Sequence, residues 1–368
     1  MPKQKIKKRA DGRVQIQRNY KGYGKKWFYG KTLAECEKKR KLFEATMLQP
    51  GNMVSPAVTF GEYKEVWFAA VKNTISDVTY QTYKSVDRSH LSNFDDYQIG
   101  NLTGTEIMAY IQRKLDGGLS TRTVQGVFIL MKAILQSAVV DNVILRNPLV
   151  GFKRPKYVRV HPFVALTEKQ VKKLFSVITN EKHRVMVELA VVSGLRRSEL
   201  LGLRWEDLNF DEDTLTINQT VLKVGKVVTI KPTTKTKTSR RTIYIDKATM
   251  AKIKSLKAAC LKQKLLSGVE YVDNGLVFPG LNGRPMYPDV FTKMVKDYGE
   301  KAGMPEGFTL HALRHTHATL LLRAGVHFKV VQSRLGHSTS KQTLDTYSHV
   351  TPDLDYGAAQ TLQNIVKG

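Results

Sequence analysis

The chain has 368 residues, with 59 Lys and Arg against 32 Asp and Glu, a formal net charge of +27. Self-repulsion of that size is relieved by a polyanion, so nucleic acid is the expected partner and an anionic membrane surface the weaker alternative. No spanning helix and no secretory leader is expected from the apolar pattern, and two distant cysteines, Cys36 and Cys260, fit packed thiols in a reducing cytoplasm better than a disulfide scaffold.

Length predicts two or three domains. Residues 1–50 carry fifteen Lys and Arg against four acids. Val14 and Ile16 alternate with Gln15 and Gln17, which predicts a strand, and Trp27, Phe28 and Tyr29 predict a second. Gly22, Gly24 and Gly30 punctuate the turns, and Thr32 with Glu35 is a capping box that opens a helix to about Leu48. A small sheet with one packed helix follows. The aromatic cluster argues against a disordered basic tail. Lys7, Lys8, Arg9, Arg18, Lys25 and Lys26 are its candidate DNA contacts.

Residues 50–56 are a linker by composition, and Thr59 with Glu62 opens the next helix. Further helices are predicted near 77–92, 104–116 and 120–140, so 57–150 is expected to be an all-α domain. Its Tyr and Trp stripes are core residues rather than stacking platforms for bases. A second linker contains Lys153 and Arg154, which are placed to lie along a phosphate backbone. Thr167 and Gln170 then open an α/β region running to the end, with strand signals at Thr214–Ile217, Val227–Ile230 and Thr242–Ile245.

This last region carries the chemistry. Residues 193–203 read as a helix, a Gly194 turn and a second helix. Arg196 sits where a helix N-terminus and a guanidinium fork can hold phosphate, with Glu199 on the same face; a surface ion pair is the alternative. The window 223–241 holds seven Lys and Arg and no acid, and Thr233–Arg240 is predicted to be a basic β-hairpin. Lys235, Lys237, Arg240 and Arg241 are its candidate DNA contacts, and a lysine beside arginines can serve as a general acid. In Leu310–His317, His311 and Arg314 are three apart and share a helix face. His311 and His315 at a four-residue spacing could instead hold a metal, but no HExxH motif or carboxylate cluster accompanies them. His337 follows Gly336, and Tyr347 follows ten residues later. A cationic pocket that binds phosphate also favours the phenolate.

The pieces SGLRRSELLGLRWEDL, TKTKTSRRTI, LHALRHTHAT and LGHSTSKQTLDTYSHV, in that order, resemble the tyrosine recombinases, in particular the integrases of temperate phages and conjugative transposons. The resemblance implies a multidomain α+β protein. Residues 1–50 would be a small sheet-plus-helix domain for arm-type sites, 57–150 a helical domain for core-type sites, and 160–368 a mostly helical catalytic domain with a tail helix. It implies that Arg196 and Arg314 hold the scissile phosphate, Glu199 supports them, and Lys235 protonates the leaving 5′ oxygen, with Lys237 the competing choice. His311 would assist proton transfer, His337 would bond the phosphate, and Tyr347 would attack phosphorus. No metal, nucleotide or other cofactor is expected, because the phosphotyrosyl bond conserves the free energy of the broken phosphodiester.

The expected partners are double-stranded attachment sites, three further copies of the chain in a tetramer, and an accessory DNA-bending or directionality protein. Leu354, Ala358, Leu362 and Ile365 lie near helical spacing and could dock in cis or on a neighbouring protomer. A non-catalytic DNA-binding regulator on the same scaffold, or a topoisomerase of the same chemistry, are the alternatives.

Overall fold

The computed structural model describes residues 7–8, 12–20, 24–47, 58–158, 163–232, 240–337, 362–363 and 365–366. Two units emerge, Met1–Val160 and His161–Gly368.

In the first unit, strands β1 (Lys7–Lys8), β2 (Val14–Tyr20) and β3 (Gly24–Gly30) form an antiparallel meander in that order. Ile16 pairs with Phe28, and with Val14 these side chains form a small core closed by Cys36 of helix α1 (Leu33–Met47). Thr32 accepts from the Glu35 amide at 3.2 Å, as the capping signal predicts. The Glu35 carboxylate returns one residue earlier, to the Lys31 amide at 2.8 Å.

Helices α2 (Phe60–Val71), α3 (Asp77–His90), α4 (Gly104–Asp116) and α5 (Thr121–Val140) follow within two or three residues of their expected bounds. The Thr59–Glu62 capping box forms, and Thr103–Glu106 supplies a second that starts α4. Phe60, Phe68, Ile107, Ile111, Met131 and Leu135 fill the core, with Tyr63 and Trp67 buried among them. The aromatic stripe is therefore packing. Lys64 is buried too, because Asp87 and Asp95 each meet its Nζ at 2.6 Å. Among the described residues, α5 is long and apolar enough to cross a membrane by length and composition, contrary to the expectation of no such helix. Val124, Phe128, Met131 and Leu135 of α5 are instead buried in the bundle. A central core helix needs the same apolar content as a spanning one.

The second unit is built around α7 (Glu181–Ser193), whose Val185–Val191 stretch is buried almost without interruption. Helix α6 (Glu168–Ser176) precedes it with the expected Thr167–Gln170 box, and the short α8 (Arg197–Leu201) follows the Gly194 turn. Strands β4 (Leu208–Asn209), β5 (Thr214–Ile217), β6 (Gln219–Val224), β7 (Val227–Pro232) and β8 (Arg241–Tyr244) come next. Helices α9 (Lys247–Ser267), α10 (Pro288–Lys301), α11 (Leu310–Arg323) and α12 (Phe328–Leu335) complete the described part. The three strand signals land on β5, β7 and β8.

The predicted hairpin at Thr233–Arg240 lies, but for Arg240, outside the described residues. β7 pairs with β6 around Gly225, and β8 pairs with β5 in a β4–β5–β8 sheet. Among the described residues, the strands flanking 233–239 belong to different sheets. β6 escaped notice because Gln219–Val224 shows no clean alternation, and its discovery takes β7 away from β8. Residues 233–239 themselves lie outside the described residues.

Candidate active site

Two left-handed glycine turns organise the site. Gly194 ends α7 at φ 64° and Gly336 ends α12 at φ 63°. This backbone conformation costs a side-chain-bearing residue free energy. Space forbids one as well. A Cβ on Gly194 would stand 2.6 Å from Cδ2 of His317, and one on Gly336 would stand 2.7 Å from Nη1 of Arg241.

The carbonyls of these turns receive the arginines. Arg314, on α11 and only 3% exposed, donates from Nη1 to Gly194 O and from Nη2 to Leu335 O, both at 2.7 Å. Arg196 is the N-cap of α8 and donates from Nη2 to Gly336 O at 3.1 Å. The Arg314 fork is fixed by two backbone carbonyls, and that of Arg196 by one carbonyl and the Glu199 side chain.

Glu199 lies beneath Arg196 and is 3% exposed. Its Oε1 accepts from Arg196 Nη1 at 2.8 Å and its Oε2 from the Arg196 amide at 2.9 Å. Arg241 adds Nη1 to Oε1 at 3.2 Å and Nη2 to Oε2 at 2.9 Å. Burial pushes the Glu199 carboxyl up, but the Arg241 bonds and charge, then Arg196, outweigh it and hold it below the usual range. The alternative of a surface ion pair does not apply, since this acid is buried.

His337 follows the Gly336 turn, and its amide donates to Gln332 O at 3.2 Å. Burial first, then the charges of Arg314, Arg196 and Arg241, bring its imidazole down to about 4. It is therefore neutral at physiological pH and can still donate one N–H. His311 stands one turn before Arg314, exposed, and desolvation followed by Arg314 and Arg196 lowers its pKa too. Its ring meets that of His315 edge to face at 4.5 Å. Among the described residues no group of three or more His, Cys, Asp or Glu is placed to hold a metal. A cavity of about 280 Å³ opens here, lined by Leu195, Arg197, Thr292, Thr309, Leu310, His311 and Arg314.

The structure thus brings Arg196, Glu199, His311, Arg314 and His337 into one cationic cluster. Lys235, Lys237 and Tyr347 lie outside the described residues, as does Arg9. Of the other candidate DNA contacts, Lys25, Lys26, Lys153, Arg154 and Arg240 are exposed and Arg18 is half-buried, while Lys7 and Lys8 form β1. Leu354 and Ala358 of the tail also lie outside, while Leu362 and Ile365 are helical and exposed.

Arg241 is a correction. It was expected to contact DNA, but its side chain is 7% exposed and its fork is spent on Glu199. Arg334 and His317 went unread. His317 Nδ1 lies 2.9 Å from Val191 O, and Arg334 Nε lies 3.4 Å from His317 Nε2. For Arg241 the sequence signal was that a buried acid such as Glu199 needs a cation, which does not say which one.

Comparison with known proteins identifies the family. The phage integrase family pattern matches residues 165–353, and the phage integrase N-terminal SAM-like domain matches 59–115. A tyrosine recombinase XerC-like protein of Caldanaerobacter subterraneus is 28% identical over 360 residues, covering 93% of this chain and 92% of its own. The Tn1549 transposon integrase in complex with a circular intermediate DNA superposes with TM-score 0.68 at 22% identity, over 83% of this chain and all of that one. The lambda integrase tetramer bound to a Holliday junction gives 0.60 at 18% identity, over 91% of this chain and 96% of that one. The ordered motifs, the fold of the second unit and these matches together place the chain in the phage integrase family of tyrosine recombinases.

Proposed function

We propose that this site-specific DNA recombinase cuts and rejoins DNA through a 3′-phosphotyrosyl intermediate on Tyr347, and so inserts and removes a mobile element. The reading rests above all on one observation. Two guanidinium forks are fixed to the carbonyls of neighbouring turns, beside a buried neutral histidine. Such a cluster is suited to a phosphodiester whose charge rises in a pentacovalent transition state.

In this reading Arg196 and Arg314 neutralise the non-bridging oxygens, and neutral His337 donates a hydrogen bond to one of them. The Tyr347 oxygen attacks phosphorus as its proton passes to His311. The bond to the 5′ oxygen breaks as Lys235 supplies that oxygen with a proton. Reversal on a different 5′ hydroxyl ligates the new junction without a nucleotide.

Residues 1–50 would bind arm-type sites, 57–150 core-type sites, and 160–368 would carry the chemistry. The protein would act on double-stranded DNA as a multimer, with four copies at two duplexes and the tail docking on a neighbouring protomer; the lambda integrase tetramer bound to a Holliday junction is a similar assembly. An accessory bending or directionality protein would set the direction.

The test is a nicked suicide duplex bearing a core-type site. Tyr347→Phe is expected to bind it with unchanged affinity and to form no covalent adduct on a denaturing gel. An adduct with that variant would remove Tyr347 as nucleophile.

A further inference from the structure

Glu199 is too buried to be balanced by Arg196 alone, because the Arg196 side chain is 39% exposed and faces the proposed phosphate site. The balancing charge comes from a residue forty-two positions away. Arg241 opens β8, immediately after the basic connection 233–240. Its Nη1 and Nη2 take both Glu199 oxygens, while Nε donates to Arg334 O at 2.7 Å, in the last turn of α12. Its guanidinium occupies the space that a side chain at Gly336 would need, and the Gly336 carbonyl receives Arg196. A closed circuit results. It runs from Arg196 to Glu199, to Arg241, to the α12–Gly336 turn, and back to Arg196.

We propose that Arg241 is a positioning residue of the recombination site, which keeps Glu199 an anion in one fixed orientation and thereby aims Arg196. It also ties the end of the 233–240 connection to the turn that carries His337. Arg241 has Nε, Nη1 and Nη2 all engaged by Arg334 O and Glu199, so it acts through the others. The proposal rests on the reading of Arg196 as a phosphate clamp.

The circuit makes a distinctive pH signature. In the native protein the Glu199 carboxyl is held below its usual range, because Arg241 opposes the effect of burial. Replacing Arg241 by a neutral residue leaves Glu199 buried beside one half-exposed arginine, so its pKa rises and it takes up a proton as pH falls. Arg196 then loses its anionic partner below that pKa.

The experiment is single-turnover adduct formation on the nicked suicide duplex, with binding by gel shift and folding by thermal melt, across pH 5 to 8. Arg241→Gln is expected to bind DNA within about threefold of wild type. It should cleave roughly a hundredfold more slowly, the scale of a misplaced catalytic group. It should also show a new acidic limb in the rate profile, absent from wild type and from the Arg241→Gln/Glu199→Gln double variant. The two single defects should not multiply in the double, since both break one circuit. Arg241→Lys keeps the cation without the fork, and should cleave at an intermediate rate with no acidic limb.

A wild-type rate in Arg241→Gln would overturn the proposal, as would equal losses of binding and cleavage, or defects that multiply. Should Arg241→Gln fail to fold, an acidic limb in folded Arg241→Lys would overturn it equally. Tyr347→Phe separates this failure from that of the functional reading, since an adduct in that control sinks the latter whatever Arg241 does.

Discussion

His317 shows how a single side chain near the site ties pH to stability. Val191 O can only accept, so Nδ1 carries the proton, and Nε2 is then left to accept from Arg334 Nε. A second proton would point at that guanidinium inside the protein. Burial first, then the Arg334 charge, accordingly drops its pKa to about 3. The folded pKa is below the unfolded value of about 6.5, so the unfolded chain binds the extra proton first. The stabilising contribution is complete above pH ~6.5 and is lost as pH falls toward the folded pKa, at about 1.4 kcal/mol per pH unit for one proton. His317→Gln should therefore flatten the decline of unfolding free energy between pH 6 and 4 by about that slope, as measured by denaturant titration at each pH. Parallel declines in variant and wild type would show that His317 is not the group responsible. The neutral state matters beyond stability, because the ring packs against Gly194, whose carbonyl holds Arg314.

At the scale of elements, what could be read depended on how local the cause was. Helix starts were legible because Thr59 with Glu62 and Thr167 with Gln170 act across three residues. Helix faces were legible because apolar spacing repeats every turn. The clustering of Arg196, His311, Arg314 and His337 was legible only through the order of motifs, since each alone reads equally well as packing or a surface pair. Strand partnership was not legible. β7 and β8 look like a hairpin with a basic tip, but β6 claims β7 and β5 claims β8. Nothing local distinguishes an arginine that meets a phosphate from Arg241, whose partner Glu199 is far off in sequence.

In the proposed mechanism the general acid is Lys235, with Lys237 the competing choice, both in the connection between β7 and β8. Lys235→Ala is expected to slow cleavage of ordinary DNA by roughly a hundred- to ten-thousandfold, the usual worth of a placed acid. The same variant should cleave a 5′-bridging phosphorothiolate at close to the wild-type rate, because a thiolate leaves without a proton. Rescue of Lys237→Ala in place of Lys235→Ala would move the role two residues along.

For the whole molecule, the +27 charge is unevenly placed, and that unevenness is a functional argument. The first fifty residues hold fifteen Lys and Arg and four acids, and among the described residues their buried core is Val14, Ile16, Phe28 and Cys36. So small a core leaves most side chains outward. Lys25 and Lys26 stand exposed on β3, in register with Asn19 and Arg18 of β2. If this ribbon grips an arm-type site, it does so largely through phosphates, and its affinity should fall steeply with salt. Replacing both lysines by alanine in the full chain removes up to two phosphate contacts, which should lower the slope of log K against log salt by about 0.9 for each contact. The loss should be confined to arm-type duplexes. Core-type duplexes should bind with unchanged slope and be cleaved at the wild-type rate, because those contacts are assigned to the helical and catalytic regions. Fluorescence anisotropy on the two duplexes between 50 and 300 mM salt reads both slopes. An equal change on both duplexes would mean that the ribbon is a general electrostatic tether, and the assignment of separate sites to separate domains would fall with it.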